Sequence, residues 1–316
     1  MTPVTTPAVS VAIPLYNKAP FIAETVRSAL AQSFSDLEVV VIDDGSTDGG
    51  AELLREIDDP RLRVIRQENA GVSAARTRAM REGRARYTAF LDADDTWHPE
   101  HLRHLLELAR RYPQAALLGN AFAERRTAGV PAAQPDAAVH YRQVENVFAE
   151  FAQGRAPLYT SSCMVLRDRA LGVGGFPIGD YCGEDLALWM LLAADAPVAV
   201  SDFVGCHYRR GIDSLSRSHA YRNATNITMI TLADILARHP DWPEERKAAV
   251  REYNARLALA HTLDALHAGE MGLARHYLKL ASTTRLMRRR LWLARLMAFS
   301  GPFRNVVFFL SNLRRA

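Results

Sequence analysis

The chain has 316 residues, 48% hydrophobic and 23% charged, the composition of a globular protein long enough for one large α/β domain with an appendage or for two modest domains. Its net charge of +4 is local: eight arginines (285, 288, 289, 290, 295, 304, 314 and 315) and no acid fall within 285–316, which leaves the first 284 residues at −4. That distribution excludes a basic nucleic-acid face on the main domain, and no charge-free stretch of 18 or more residues offers a membrane span.

The first 120 residues alternate short apolar runs with amphipathic stretches, the pattern of βαβ units. Residues 9–14 read as a strand and 20–31 as a helix. Residues 37–43 (Leu-Glu-Val-Val-Val-Ile-Asp) form a near-continuous β-branched run, expected of a strand buried on both faces. Ser46 or Thr47 is expected to cap the next helix, with Asp48 in its first turn. Strands follow at 62–66, 87–91 and 115–123, with helices at 73–82 and from Pro99 to about 112. The expectation is an α/β fold with an open, mostly parallel sheet flanked by helices. A Pro/Ala-rich loop at 124–140 leads to a less regular part, with strands at 161–166 and 198–208 around a helix at 184–194. From 221 onward the pattern is helical. The expected division is an α/β domain at 1–220, with halves at about 9–120 and 121–220, and a helical C-terminal extension at 221–316.

Ligands of open parallel sheets bind outside the carboxyl ends of the strands. The first strand ends in Pro14-Leu-Tyr16-Asn17, the second in Asp43-Asp44-Gly45-Ser46 and the fourth in Asp92-Ala93-Asp94-Asp95. Four or five carboxylates on one sheet edge repel one another unless a cation or hydrogen-bond donors compensate them. Oxygen ligands without Cys or His partners point to Mg²⁺ or Mn²⁺, and a divalent ion at a nucleotide site implies a diphosphate leaving group. The alternative is that these acids are loop residues and helix caps.

The motifs resemble the inverting glycosyltransferases of family 2, which have the GT-A fold. The matching segments are Val-Ala-Ile-Pro-Leu-Tyr-Asn17, Val-Ile-Asp-Asp-Gly-Ser-Thr-Asp48, Asn69-Ala-Gly-Val-Ser-Ala-Ala-Arg76, Phe-Leu-Asp-Ala-Asp-Asp-Thr-Trp97 and Gly183-Glu-Asp185, in the family's order across about 9–210. The resemblance implies that Asp44 binds the base or ribose of a nucleotide-sugar donor, with Pro14 and Tyr16 shaping that pocket and Asn17, Asp43, Ser46 and Ala93 beside it. It implies that Asp92 and Asp94 bind ribose and metal-diphosphate, that Asp95 supports them or shares the metal, and that Arg76 lies near the nucleotide. Asp185 would be the general base that deprotonates an acceptor hydroxyl, with Glu184 as the fallback. Read without the family, Asp185 at a helix start serves equally to offset the macrodipole. The expected donor is a UDP-sugar, the cofactor Mn²⁺ or Mg²⁺, and the acceptor a glycan or lipid-linked saccharide. The family's usual Asn and Gly after the Ala-Arg pair are replaced by Thr77 and Ala79. No Gln-x-x-Arg-Trp sequence of the processive synthases occurs, so single-sugar transfer is expected.

His98, His101 and His104 recur every three residues and read as a solvated helix face. His207, at a strand end, is a candidate fourth metal ligand or a packed histidine. Arg209 and the 214–216 loop are candidates to close over the diphosphate. Cys163, Cys182 and Cys206 lack metal-site spacing and read as reduced thiols of a cytoplasmic protein. Residues 285–316 mix Arg with Leu, Trp and Phe, which fits either a peripheral contact at the inner face of the cytoplasmic membrane or a helix packed on the catalytic domain with an Arg-rich outer face. A sugar nucleotidyltransferase is the rival enzyme, disfavoured because no Gly-rich basic loop follows the first strand. A non-catalytic nucleotide-sugar-binding scaffold is the rival outside catalysis.

Overall fold

A computed structural model describes residues 6–125, 138–155, 158–179, 181–209, 225–281 and 284–300. The expected 214–216 loop, most of the 124–140 loop and residues 301–316 lie outside them. The chain divides into two compact units: Met1–Glu145 with Ala156–Thr228, and Asn146–Arg155 with Met229–Ala316. The short segment at 146–155 thus belongs with the C-terminal helices, which sequence order alone does not announce.

In the first unit, β1 (Val9–Leu15), β2 (Leu37–Asp43), β3 (Leu62–Arg66) and β4 (Tyr87–Phe90) pair in parallel in the order β3-β2-β1-β4. Every residue of β2 is buried, as its apolar run requires of a central strand. Glu38 within it is 1% exposed and is satisfied by Ser10 Oγ at 2.7 Å and the Arg84 amide at 2.6 Å. Around these strands lie α1 (Ala19–Leu30), the single turn α2 (Gly50–Leu53), α3 (Val72–Glu82) and α4 (His101–Arg111).

Beyond β4 the sheet is mixed. A two-residue strand β5 (Thr96–Trp97) follows the acidic turn, then come β6 (Leu117–Arg125), β7 (Tyr141–Val144) and α5 (Val147–Ala152). Strand β8 (Cys163–Leu166) lies between β4 and β6, antiparallel to both. The sheet is thus the expected mostly parallel one, with its antiparallel pairings gathered beyond β4. After α6 (Arg167–Gly172) and the short β9 (Tyr181–Cys182) come α7 (Glu184–Asp195) and β10 (Val198–Arg209), and β10 pairs in parallel with β6 and antiparallel with β5 and β7. A two-residue strand β11 (Thr225–Asn226) pairs with β9.

The start of α2 differs from expectation. Ser46 and Thr47 do not cap it. Asp48 accepts from the Gly50 amide at 3.0 Å and from the Ala19 amide at 2.7 Å, tying the starts of α2 and α1 together.

The histidine row is also corrected. His101 is fully buried, and burial lowers its pKa to about 3. His104 stacks on Phe203 of β10 at 3.8 Å, and His98 meets the same ring edge-on at 5.1 Å. A polar residue at every third position looks like a wet face, but here Gly205 of β10 leaves the room that His101 fills. A Cβ at 205 would overlap His101 Nδ1 and lie 3.0 Å from Asn120 Nδ2. Gly205→Ala is therefore expected to destabilise by about 1–3 kcal/mol, the usual cost of overpacking. Denaturant unfolding measures this, and an unchanged midpoint would contradict it.

The second unit holds α8 (Ile227–Arg238), α9 (Glu244–Ala268), α10 (Met271–Leu280) and α11 (Arg288–Phe299) around a core that includes Leu259, Leu266, Leu278, Leu291 and Met297. Helix α5 joins it through Phe151, whose ring lies 5.2 Å from Tyr253. No helix among the described residues is long and apolar enough to cross a membrane.

Candidate active site

The carboxyl ends of β1 and β2 are locked together before any ligand is considered. Asn17 has φ +50°, the one positive value among described non-glycine residues. That conformation is held because its side chain accepts from the Thr47 amide at 2.9 Å, while its own amide donates to Ser46 Oγ at 3.2 Å. Asp43 is fully buried and both its oxygens are engaged, by the Ser46 amide at 2.9 Å and Arg66 at 3.0 Å. Asn17, Asp43 and Ser46, expected beside the donor, also brace this corner.

Asp44 is the acid that faces the 67–71 loop. It accepts from Gln67 Nε2 at 2.7 Å and from the amides of Ala70 and Gly71, each at 2.9 Å. A carboxylate offers about four lone-pair sites, so one acceptor position remains for a ligand. Pro14 is half-buried and Tyr16 exposed beside it.

The turn after β4 is held from three sides. The Asp95 amide donates to the Asp92 carbonyl at 3.0 Å, and Thr25 Oγ1 of α1 donates to the carbonyls of Ala93 and Asp95 at 3.0 and 2.8 Å. Asp95 is 1% exposed. It accepts from Tyr159 Oη at 2.8 Å, Ser161 Oγ at 2.6 Å and the Arg209 amide at 3.1 Å. Burial, with the charges of Asp92 and Asp94, pushes its carboxyl up to about 7. Arg209 does not reach outward: it donates to the Asp94 carbonyl at 3.1 Å and pairs with Glu24 at 2.7 Å.

Arg76 joins the two acidic motifs. Its guanidinium, 6% exposed, pairs with Asp92 at 2.6 Å and with Glu184 at 3.1 Å. Burial alone would lower its pKa, but the charges of Asp92 and Glu184 outweigh this and raise it. Its Nε is buried with no partner among the described residues, and such a donor is normally met by water or a ligand. Glu184 is thus committed to an ion pair. Asp185 is half-buried, and its Oδ2 accepts from Thr160 Oγ1 at 2.8 Å. The short 3-10 turn Thr160–Ser162 therefore touches both ends of the site, because Ser161 Oγ also accepts from the Asp92 amide at 3.0 Å.

The chemistry of Asp92 and Asp94 fits a hard divalent ion. Among the described residues no group of three or more His, Cys, Asp and Glu is gathered to hold a metal. Of the expected four-ligand set, Asp95 already accepts three hydrogen bonds, and His207 lies in β10 opposite Thr96 and Ala123. Asp92 and Asp94 each give one oxygen to a cation, Arg76 and Lys18 respectively, and keep 24% and 18% exposure. Two carboxylates completed by phosphate oxygens is a usual way to hold Mg²⁺. An ion arriving at Asp94 has to compete with Lys18 Nζ, 2.5 Å away.

Lys18, Tyr159, Thr160 and Ser161 carried no signal in the sequence, because their roles come from contacts across 25–76 residues of chain. Thr77, where the family usually has Asn, accepts from the Phe176 amide at 3.0 Å, a packing role that anchors α3.

A parallel half-sheet whose strand ends carry a braced Asp pair, an acidic turn and a second acidic pair at a helix start defines a transferase of the GT-A architecture. The Glycosyl transferase family 2 profile matches residues 10–171, and the chain belongs to that family. It is similar to the putative teichuronic acid biosynthesis glycosyltransferase TuaG of Bacillus subtilis, 41% identical over 104 residues, which is 32% of this chain and 41% of TuaG. It is likewise 41% identical over 107 residues to chondroitin synthase of Escherichia coli, covering 33% of this chain and 16% of that protein. The matched segment thus spans less than half of these relatives. Among solved structures, S. aureus TarS 1-349 in complex with UDP-GlcNAc superposes with a TM-score of 0.68 at 18% identity, over 92% of this chain and 87% of that one. The mannosyltransferase PcManGT from Pyrobaculum calidifontis, in complex with GDP-Man and Mn²⁺, gives 0.56 at 20% identity over 96% and 84%. At these identities the likeness is one of fold.

Proposed function

We propose that the protein is an inverting glycosyltransferase that moves a single sugar from a nucleotide-diphosphate sugar, a UDP-sugar foremost, to a hydroxyl of a glycan or lipid-linked saccharide. The observation that carries this reading is the shared frame of Arg76 and the Thr160–Ser162 turn, which sets Asp185 beside the acidic turn. Asp44 takes the nucleoside, with Pro14 and Tyr16 at its side. Asp94 and Asp92 are the residues that would hold Mn²⁺ or Mg²⁺, which supplies charge neutralisation of the departing diphosphate.

Asp185 accepts the proton of the acceptor hydroxyl as the oxygen attacks the anomeric carbon. The bond from that carbon to the diphosphate oxygen breaks on the opposite face, and the configuration inverts. Thr160 holds one Asp185 oxygen and so orients the carboxylate. Glu184 is set aside as the base because it balances Arg76. The TarS and PcManGT complexes, with UDP-GlcNAc and with GDP-Man and Mn²⁺, support a nucleotide-sugar donor and a divalent ion by analogy. Three buried cysteines held in no disulfide support a cytoplasmic site of action, and the basic C-terminal helix supports attachment at the inner face of the cytoplasmic membrane.

Water serves as a slow acceptor in the absence of the natural one, so the stereochemistry is testable without knowing that acceptor. An α-linked UDP-sugar incubated with the protein and Mn²⁺ should release the β-sugar first, read by NMR before mutarotation. Release of the α-sugar first would overturn single displacement. No release from UDP-, GDP- or TDP-sugars by the folded protein would favour the binding-scaffold reading.

A further inference from the structure

The C-terminal unit carries a surface that catalysis does not use. Helix α11 buries Leu291, Ala294, Met297 and Ala298 in the second core. Its other side leaves Trp292 60%, Phe299 69% and Leu293 41% exposed. Arg288, Trp292, Arg295 and Phe299 are spaced by four, three and four residues and so share one stripe, with all four exposed. Leu286 just before the helix and Leu280 at the end of α10 are 57% and 45% exposed. Arg275 of α10 lies over the Phe299 ring at 5.3 Å.

The charge on this surface has one sign. Residues 271–300 include Arg275, Lys279, Arg285, Arg288, Arg289, Arg290 and Arg295 and no acid. The carboxylate that comes up from α9, Glu252, is turned to Thr284 Oγ1 and to the amides of Arg285 and Leu286. It therefore caps the 284–286 turn and does not pair with the arginines of α11 in any bond the structure gives.

We infer that α11, with the end of α10, docks on an anionic phospholipid surface, Trp292, Leu293 and Phe299 entering the headgroup boundary and the arginines pairing with lipid phosphates. Single exposed apolar residues are ordinary, but a helix face that interleaves aromatic and basic residues with no acid is the composition of an interfacial helix. Single-stranded nucleic acid also takes Arg with aromatics, but the aliphatic Leu280, Leu286 and Leu293 offer it no stacking. The sequence left open whether this segment packs on the protein or meets a membrane. One side of α11 packs into the core of the C-terminal unit, and the other side carries the exposed Trp292, Arg295 and Phe299.

The test is flotation of the full chain with vesicles of phosphatidylcholine alone and with phosphatidylglycerol added. Binding is expected on the anionic vesicles only, and to weaken as salt screens the arginines. Trp292→Ala/Phe299→Ala and Arg288→Glu/Arg295→Glu should each lower the bound fraction roughly tenfold or more, with melting temperature and UDP binding unchanged. Wild-type protein that stays unbound, that binds neutral vesicles equally, or that is displaced by oligonucleotide, would overturn the inference. So would variants that float like wild type.

Discussion

Asp185→Asn is expected to lower kcat for sugar transfer by about 10²–10⁴-fold, the range that general-base catalysis contributes, with little change in donor affinity. Asn matches Asp in shape and its carbonyl oxygen can still accept from Thr160 Oγ1, now 2.8 Å from the carboxylate. What it cannot do is take a proton. The loss should therefore fall on kcat, with UDP binding within about twofold of wild type, since Asp185 touches no residue of the Asp44 pocket in the bonds the structure gives. Glu184→Gln is the control, because it weakens an ion pair with Arg76 and so should lower the melting temperature. A fall in kcat below about tenfold for Asp185→Asn would remove Asp185 from its role.

The second large effect is structural. Arg76→Met is expected to destabilise the protein by about 3–5 kcal/mol, the usual result of removing one partner from a buried charge cluster. Asp92 and Glu184 would then face each other across the site with their common cation gone. In a unit of this size that corresponds to a drop of roughly 10 °C in melting temperature. Arg76→Lys should recover part of it, as a point charge cannot reach both carboxylates the way a guanidinium does. A melting temperature within about 2 °C of wild type for Arg76→Met would mean that the cluster contributes little, contrary to its burial.

The sequence made the parallel half of the sheet readable because its strands are buried on both faces and leave unbroken apolar runs such as residues 37–43. The strand ends were readable for the same reason, since acids directly after such runs fall on the sheet edge where ligands bind. Asp43 and Asp44 looked alike in the sequence and are not: Arg66, 23 residues on, draws Asp43 inward, and only the fold reveals that. The insertion of β8 between β4 and β6 was hidden because nothing local in Cys163–Leu166 names its neighbours. His98, His101 and His104 look solvated in the sequence because periodicity reports which residues share a face and not whether a glycine opposite makes space for one of them. Residues 161–166 have the pattern of a strand throughout, which hides the turn at Thr160–Ser162 and the link its hydroxyls make to Asp95 and Asp185.

The central claim is that a nucleotide diphosphate and a divalent ion meet at the Asp92–Asp95 turn. Calorimetry of UDP binding, with and without Mn²⁺, on wild type and Asp94→Asn tests it most directly. The account predicts binding that Mn²⁺ strengthens in wild type and that loses this dependence in Asp94→Asn, with the variant's melting temperature near wild type because Asp94 is partly exposed. Failure of UDP, GDP and TDP to bind the folded protein, or Mn²⁺-dependent binding that survives Asp94→Asn unchanged, would contradict it.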